Sequence, residues 1–154
     1  MLIPRTLVFV TRGDQVLLLK GAANKRLWAG LYNGIGGHVE QGEDALSAAR
    51  RELLEETGLP GQSLRLCGTL LVDTGQNIGI AIYIYKGEVP FGEPLSSTEG
   101  SLEWVHCSRL QALHLVEDLP ILLPRILSTP PGAPPFSARS FYDTQERLQV
   151  IITE

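Results

Sequence analysis

The stretch from Gly36 to Leu59, GGHVEQGEDALSAARRELLEETGL, constrains this chain more than any other. Ala45, Ala48, Ala49 and Leu53 recur at helical spacing and predict a helix from about Glu43 to Thr57 with one apolar stripe. Gly58 suits a left-handed C-cap, and Pro60 prevents continuation. The segment RRELLEE crowds five charges into seven residues around two leucines. Glu52 and Glu55 stand at i, i+3 and Glu52 and Glu56 at i, i+4, so the three carboxylates share a face with Cβ atoms about 5–6 Å apart. Like charges at ~4 Å repel by about 4 kcal/mol at an effective dielectric near 20. Two arrangements offset that cost. Arg50 and Arg51 can pair with the acids as a solvated ion network, or a hard divalent cation with oxygen ligands can sit among them.

The rest of the chain narrows the setting. At 154 residues it is large enough for one domain with its own core, and 44% hydrophobic with 19% charged residues is an ordinary globular composition. No apolar run approaches the ~20 residues a bilayer span needs, so no membrane partner is expected. The opening MLIPRTLVFV has an arginine within a β-like run and no small-residue cleavage site, which argues against a signal peptide. Cys67 and Cys107 match no metal spacing and no disulfide framework. Two reduced, partly buried thiols in a cytoplasmic protein are expected. A net charge of -4 disfavours duplex nucleic acid as a partner, while a small phosphorylated substrate remains compatible if cations supply positive charge locally.

TLVFV and QVLLLK read as a β-hairpin around TRGD, followed by a loop through KGAANKRLWAGLYNG and a short extended IGGHVE. Beyond the helix, SLRLCGTLLVDT and IGIAIYIYKGEV read as strands joined near Gly75–Asn77, and SLEWVHC as another. SRLQAL reads as a helical turn, VEDLPILLPRIL as a helix shortened or kinked by two prolines, and FSARSFYDTQERLQVIITE as a closing hairpin. Strands dominate around one strong helix, so the expected class is α+β with a mixed sheet.

The spacing inside the opening stretch goes further. From Gly37, five residues lead to Glu43 and seven more to Arg51-Glu52; then come Leu53, one residue, Glu55-Glu56, one residue, Gly58 and Leu59. This pattern resembles the complete Nudix signature, and seven fixed identities match by chance on the order of once in 10⁸. The resemblance implies a Nudix α/β/α sandwich over residues 1–154, with a loop-helix-loop metal motif at 37–59. It implies that Glu52, Glu55 and Glu56 bind Mg²⁺, or Mn²⁺ in its place, that the Gly37 carbonyl contributes, and that Glu43 and Arg51 support them by ion pairing. A metal-activated water would then attack a phosphoric anhydride while a carboxylate takes its proton. Glu99, just before a predicted strand, is the expected further glutamate for metal binding or general base; Glu103 is the alternative.

LWAGLYNGIGGHVEQGED is also similar to the MutT-type branch, which hydrolyses purine nucleoside triphosphates, oxidised ones included. That likeness implies that Asn33 reads the base, the alternative being a turn residue before Gly34, and that Asp118, with Glu117, reads it from the acidic segment VEDLP. Departures are present: Val116 stands where that branch has a stacking aromatic, Leu119 replaces an acid, Tyr32 a tryptophan and His38 a lysine. Trp28 either stacks a base or packs its loop, and Lys25 either attracts phosphate or is solvated. His106 and His114 have no partner at ligand spacing and read as structural. Trp104 reads as core, and Phe136, Phe141 and Tyr142 as core or sheet residues. The expected activity is Mg²⁺-dependent conversion of nucleoside triphosphates to monophosphate and pyrophosphate. ADP-ribose, a nucleotide sugar or a dinucleoside polyphosphate are the alternative substrates, and a catalytically silent nucleotide-binding domain is the alternative class. The sequence does not distinguish a monomer from a homodimer.

Overall fold

A computed structural model describes residues 1–22, 29–95 and 100–154. The hairpin expected at the start is β1 (Leu2–Arg12) and β2 (Gln15–Gly21), closed by the pairs Thr11↔Val16 and Arg12↔Gln15. Tyr32–Asn33, expected to be loop, forms a two-residue strand β3, because its backbone completes the edge of β2 at Leu19 and Lys20. Next come β4 (Ile35–His38), helix α1 (Ala45–Thr57), β5 (Arg65–Val72), β6 (Gly79–Glu88) and β7 (Gly100–His106). A 3₁₀ turn (Cys107–Ala112), helix α2 (Leu119–Ser128) and the hairpin β8 (Phe136–Tyr142) and β9 (Leu148–Thr153) follow.

Among the described residues the sheet has nine strands in the order β3-β2-β1-β6-β5-β8-β9, with β4 also on β1 and β7 also on β2. It is mixed: β1 runs parallel to β6, and β5 parallel to β8, while the remaining pairs are antiparallel. Period-two alternation sends apolar side chains to both faces. Val8, Val10, Leu17 and Ile35 pack with Ala49 and Leu53 of α1 on one face. Phe9, Val16, Leu18, Leu70 and Ile84 pack with Leu119, Leu122, Leu123 and Ile126 of α2 on the other. Each such fully buried leucine contributes about 1.5–3 kcal/mol, so helix, sheet and helix hold one another in three layers.

Both helices have identifiable ends. α1 begins at Ala45, two residues later than expected, because Asp44 takes the N-cap: its Oδ1 accepts the Ser47 N–H at 2.8 Å. It stops at Gly58, whose φ of 74° forms the left-handed cap and whose N–H reaches Leu54 O at 2.8 Å. α2 is short, with Pro120 in its first turn and Pro124 inside it. Its C-terminal end is held by the buried Lys86, whose ammonium donates to Leu127 O at 2.9 Å and Thr129 O at 3.1 Å. A cation there also meets the negative end of the helix dipole.

One further expectation changes. Cys67 is buried on β5, but Cys107 is exposed, because it opens the 3₁₀ turn after β7 leaves the core. Phe136 is core, and Tyr142 is a sheet residue at the far end of β8, 55% exposed. The structural readings of two aromatic and imidazole groups have a physical basis here. His106 Nδ1 accepts the Ser108 N–H at 3.1 Å as cap of the 3₁₀ turn, and Trp104 packs against the α1-side core with the Arg12 guanidinium 4.3 Å from its ring centroid. Among the described residues no helix is long and apolar enough to cross a membrane.

Candidate metal and nucleotide site

β4 and α1 bring the acidic motif together. Gly37 pairs with Thr6 of β1, and any Cβ at Gly37 would overlap the Glu52 carboxylate. Glycine at this position lets the Glu52 side chain lie against the strand, whereas a larger residue would push its carboxylate aside. The Glu52 side chain is only 14% exposed, and burial pushes its carboxyl up, opposed by the hydrogen bond and charge of Arg51. Glu55 is 57% exposed on the next turn, and Glu56 is half-buried. Glu43 lies just before the helix, where Glu40 N–H donates to its Oε1 at 2.9 Å.

Arg51 is the hub of this cluster. It donates from Nε to Glu43 Oε2 at 3.1 Å and from Nη2 to Glu43 Oε1 at 2.6 Å. Nη2 also reaches His38 O at 3.1 Å, while Nη1 contacts Glu52 Oε1 at 3.0 Å and Glu55 Oε2 at 3.3 Å. The same bonds hold the Glu43 carboxyl below its ordinary value and raise that of the guanidinium. An arginine network therefore exists, and two of its acids, Glu52 and Glu55, are among those expected to take an ion.

The donor set fits a hard cation. Glu52, Glu55, Glu56 and the backbone of Gly37 offer oxygens only, the chemistry Mg²⁺ prefers. Gly37 leaves no Cβ between strand and Glu52, so carbonyl and carboxylate can approach. Among the described residues no three carboxylate, imidazole or thiol side chains already converge as an ion-holding group. Arg51 occupies oxygens of two of the three acids. Glu99, Lys25 and Trp28 lie outside the described residues. Glu103, the alternative to Glu99, faces away from α1. It stands opposite Leu18 of the α2-side core, accepts from Tyr32 Oη at 2.8 Å, and pairs with Arg109 at 3.4 Å.

The second half of the site is on the α2 side. Tyr32 N–H donates to His114 O, and Tyr32 O accepts from Val116 N–H, both at 2.9 Å, so β3 binds the segment that delivers Glu117 and Asp118. Asp118 is the N-cap residue of α2, yet its side chain makes no capping bond. Burial, reinforced by the Glu117 charge, raises its carboxyl above the ordinary aspartate value. Glu117 accepts a hydrogen bond from Tyr142 Oη, which pushes the Tyr142 hydroxyl up. Asn33 sits opposite Leu19, a residue of the α1-side packing, and its Oδ1 accepts the Gly34 N–H at 2.8 Å.

The structure therefore joins the LYNG stretch to the acidic segment through Tyr32, with Asn33 on the other face of the same short strand. Tyr32 and Tyr142 were not singled out as site residues from sequence. A signal for Tyr142 existed: Phe136, Ala138 and Ser140 alternate into the sheet interior, so Tyr142 follows them onto the α2 face beyond the core. Tyr32 had no such signal in alternation, since its partners, the His114 and Val116 backbone and the Glu103 carboxylate, are all distant in sequence.

A loop and helix of this kind, with glycine against glutamate and an arginine among acids on a three-layer mixed sheet, define a Nudix fold and motif. The NUDIX domain family model matches residues 1–126, and the chain belongs to that family. Among its relatives, an oxidized purine nucleoside triphosphate hydrolase of Danio rerio is 36% identical over 106 residues, covering 68% of this chain and 67% of that protein. The protein of the same name in Mus musculus is 32% identical over 123 residues, covering 79% and 78%. The crystal structure of the mutator protein MutT from Bacillus halodurans superimposes with a TM-score of 0.81 at 25% identity, covering 98% of this chain and 97% of that one.

Proposed function

We propose that this protein is a Mg²⁺-dependent nucleoside triphosphate pyrophosphohydrolase of the cytoplasm that prefers oxidised purine nucleotides. The observation that carries the reading is the placement of Glu52 against Gly37, with Glu55 and Glu56 on the same helical face. The names of the two relatives support the choice of substrate.

Glu52, Glu55, Glu56 and the Gly37 carbonyl would hold the ion, with Glu99 as a further ligand or base. When bound, the ion neutralises phosphate charge and acidifies a water. The chain's own residues do the rest. A carboxylate of the cluster accepts the water's proton as the water oxygen bonds to a phosphorus of the α–β anhydride; the bond from that phosphorus to the bridging oxygen breaks, the bridging oxygen keeps the electron pair, and monophosphate and pyrophosphate separate. Glu43 and Arg51 keep the acids in register. At the other end Asp118 meets the base edge, with Glu117, Asn33, Trp28 and Lys25 as further contacts to the nucleotide. A carboxyl whose proton affinity is raised by burial can exchange donor and acceptor roles with a purine edge.

A panel of dGTP, 8-oxo-dGTP, ADP-ribose and diadenosine tetraphosphate, run with Mg²⁺ and resolved by product, tests this. The oxidised nucleotide should have the highest kcat/KM and yield monophosphate plus pyrophosphate. Equal hydrolysis of all four would remove the base-reading role, and release of orthophosphate from the triphosphates would remove the assigned bond.

A further inference from the structure

We propose that Arg51 competes with the cation for this site, and that Glu43 anchors its guanidinium when the cation binds. The inference rests on the metal-site reading above and concerns what sets the affinity of that site. The guanidinium uses two edges for two purposes. Nε and Nη2 face Glu43, at 3.1 and 2.6 Å, and Nη2 also meets the His38 carbonyl at 3.1 Å. Nη1 turns instead to Glu52 at 3.0 Å and Glu55 at 3.3 Å.

Glu52 and Glu55 are acids a hard cation would take, and Glu43 is not. Every carboxylate lone pair directed at Nη1 is one fewer for the ion, and a fixed positive charge beside two ligands repels a divalent one. A cation that takes Glu52 Oε1 or Glu55 Oε2 displaces the Nη1 contacts, while those of Nε and Nη2 can persist. Glu43 suits the second task, because its position depends on the backbone as well as on Arg51: Glu40 N–H donates to its Oε1, and Glu43 N–H donates to Glu40 O at 3.2 Å. The arginine thus holds the acids together before the ion arrives, and Glu43 keeps it nearby afterwards.

The two residues then have opposite effects on affinity, which a purely supporting role does not produce. Mg²⁺ binding to the full chain without nucleotide is measured by calorimetric titration and by the Mg²⁺-dependent rise in Tm. Arg51→Gln should lower Tm in chelator, because three acids lose their partner, yet bind Mg²⁺ about 3–5-fold more tightly, as removal of partly exposed ion pairs implies. Glu43→Gln frees the guanidinium for Glu52 and Glu55 and should weaken Mg²⁺ binding by about the same factor. Should Arg51→Gln not fold, Arg51→Lys keeps the charge but loses the two-edged fork, and should still bind Mg²⁺ more tightly than wild type.

If the Arg51 variants and Glu43→Gln all weaken binding, Arg51 only supports the ligands and the competition is overturned. Unchanged affinity in all of them overturns it as well. A wild-type protein with neither binding heat nor a Tm shift in Mg²⁺ and Mn²⁺ fails the metal-site reading itself, and that result is distinct because it precedes any variant.

Discussion

The two faces of the sheet assemble their functional groups by different routes. On the α1 side Gly37, Glu43, Arg51, Glu52, Glu55 and Glu56 come from one loop and one helix, so a continuous piece of chain carries the whole cluster. On the α2 side Tyr32, Glu117 with Asp118, and Tyr142 arrive from three separate segments, joined by a backbone bridge and a side-chain bond. Helical geometry guarantees the first arrangement once the helix forms, whereas the second exists only when the sheet is complete. On the proposed reading, the metal chemistry lies on the first and substrate choice on the second.

The largest expected effect breaks the α1 side alone. Replacing both Glu55 and Glu56 by Gln should lower kcat by about 100-fold or more, since loss of direct ligands exceeds the 10–100-fold typical of their outer partners. The half-exposed helix face should leave thermal unfolding nearly unchanged. Wild-type turnover in that variant would end the metal assignment.

Asp118→Asn should break the α2 side alone. KM for the preferred nucleotide should rise about 10–100-fold, the loss typical of a hydrogen bond to a charged group, with Mg²⁺ affinity unaltered. The same variant reports on stability. Burial raises the folded-state proton affinity of Asp118, so its charged form costs stability at neutral pH, and this cost disappears as pH falls below the ordinary carboxylate range. Asp118→Asn should accordingly melt higher than wild type near neutrality and converge with it in acid. A Tm difference that grows on acidification would reverse the sign and remove the desolvation argument.

The smallest effect tests the join between segments. Tyr142→Phe removes only the bond to Glu117 on an exposed side chain. Because such a bond contributes about 1 kcal/mol, KM should change by no more than about fivefold and kcat hardly at all. A large fall in kcat would place Tyr142 in the chemistry and dissolve the division between the two sides.

Legibility followed the same division. The strands β1, β2 and β5 to β9 could be read from alternation, and α1 from its stripe, its capping region and its glycine stop, with an error of two residues where Asp44 took the cap. The Gly37-to-Leu59 spacing carried the resemblance that implies Glu52, Glu55 and Glu56 as the acids proposed to hold the ion. The partners of Arg51 were less legible: the helix alone allowed pairing with Glu52, Glu55 or Glu56, the resemblance implied Glu43, and Arg51 pairs with Glu43, Glu52 and Glu55. β3 was missed because two residues have no periodicity; it is a strand only because β2 offers an edge. Glu103 could not be assigned by counting, and only its register opposite Leu18 set its face.

Local sequence determined whatever depends on neighbours a few residues apart: the helix, its caps, and the shared face of Glu52, Glu55 and Glu56. Short-range sterics and helical pitch suffice for these. Tertiary structure decided which groups distant in the chain meet: Tyr32 with the Glu117–Asp118 segment, Tyr142 with Glu117, Lys86 with the end of α2, and Arg51's His38 contact across the loop. Those pairings depend on strand register and on layers closing over two cores, and no periodicity along the chain encodes where a distant strand will stop.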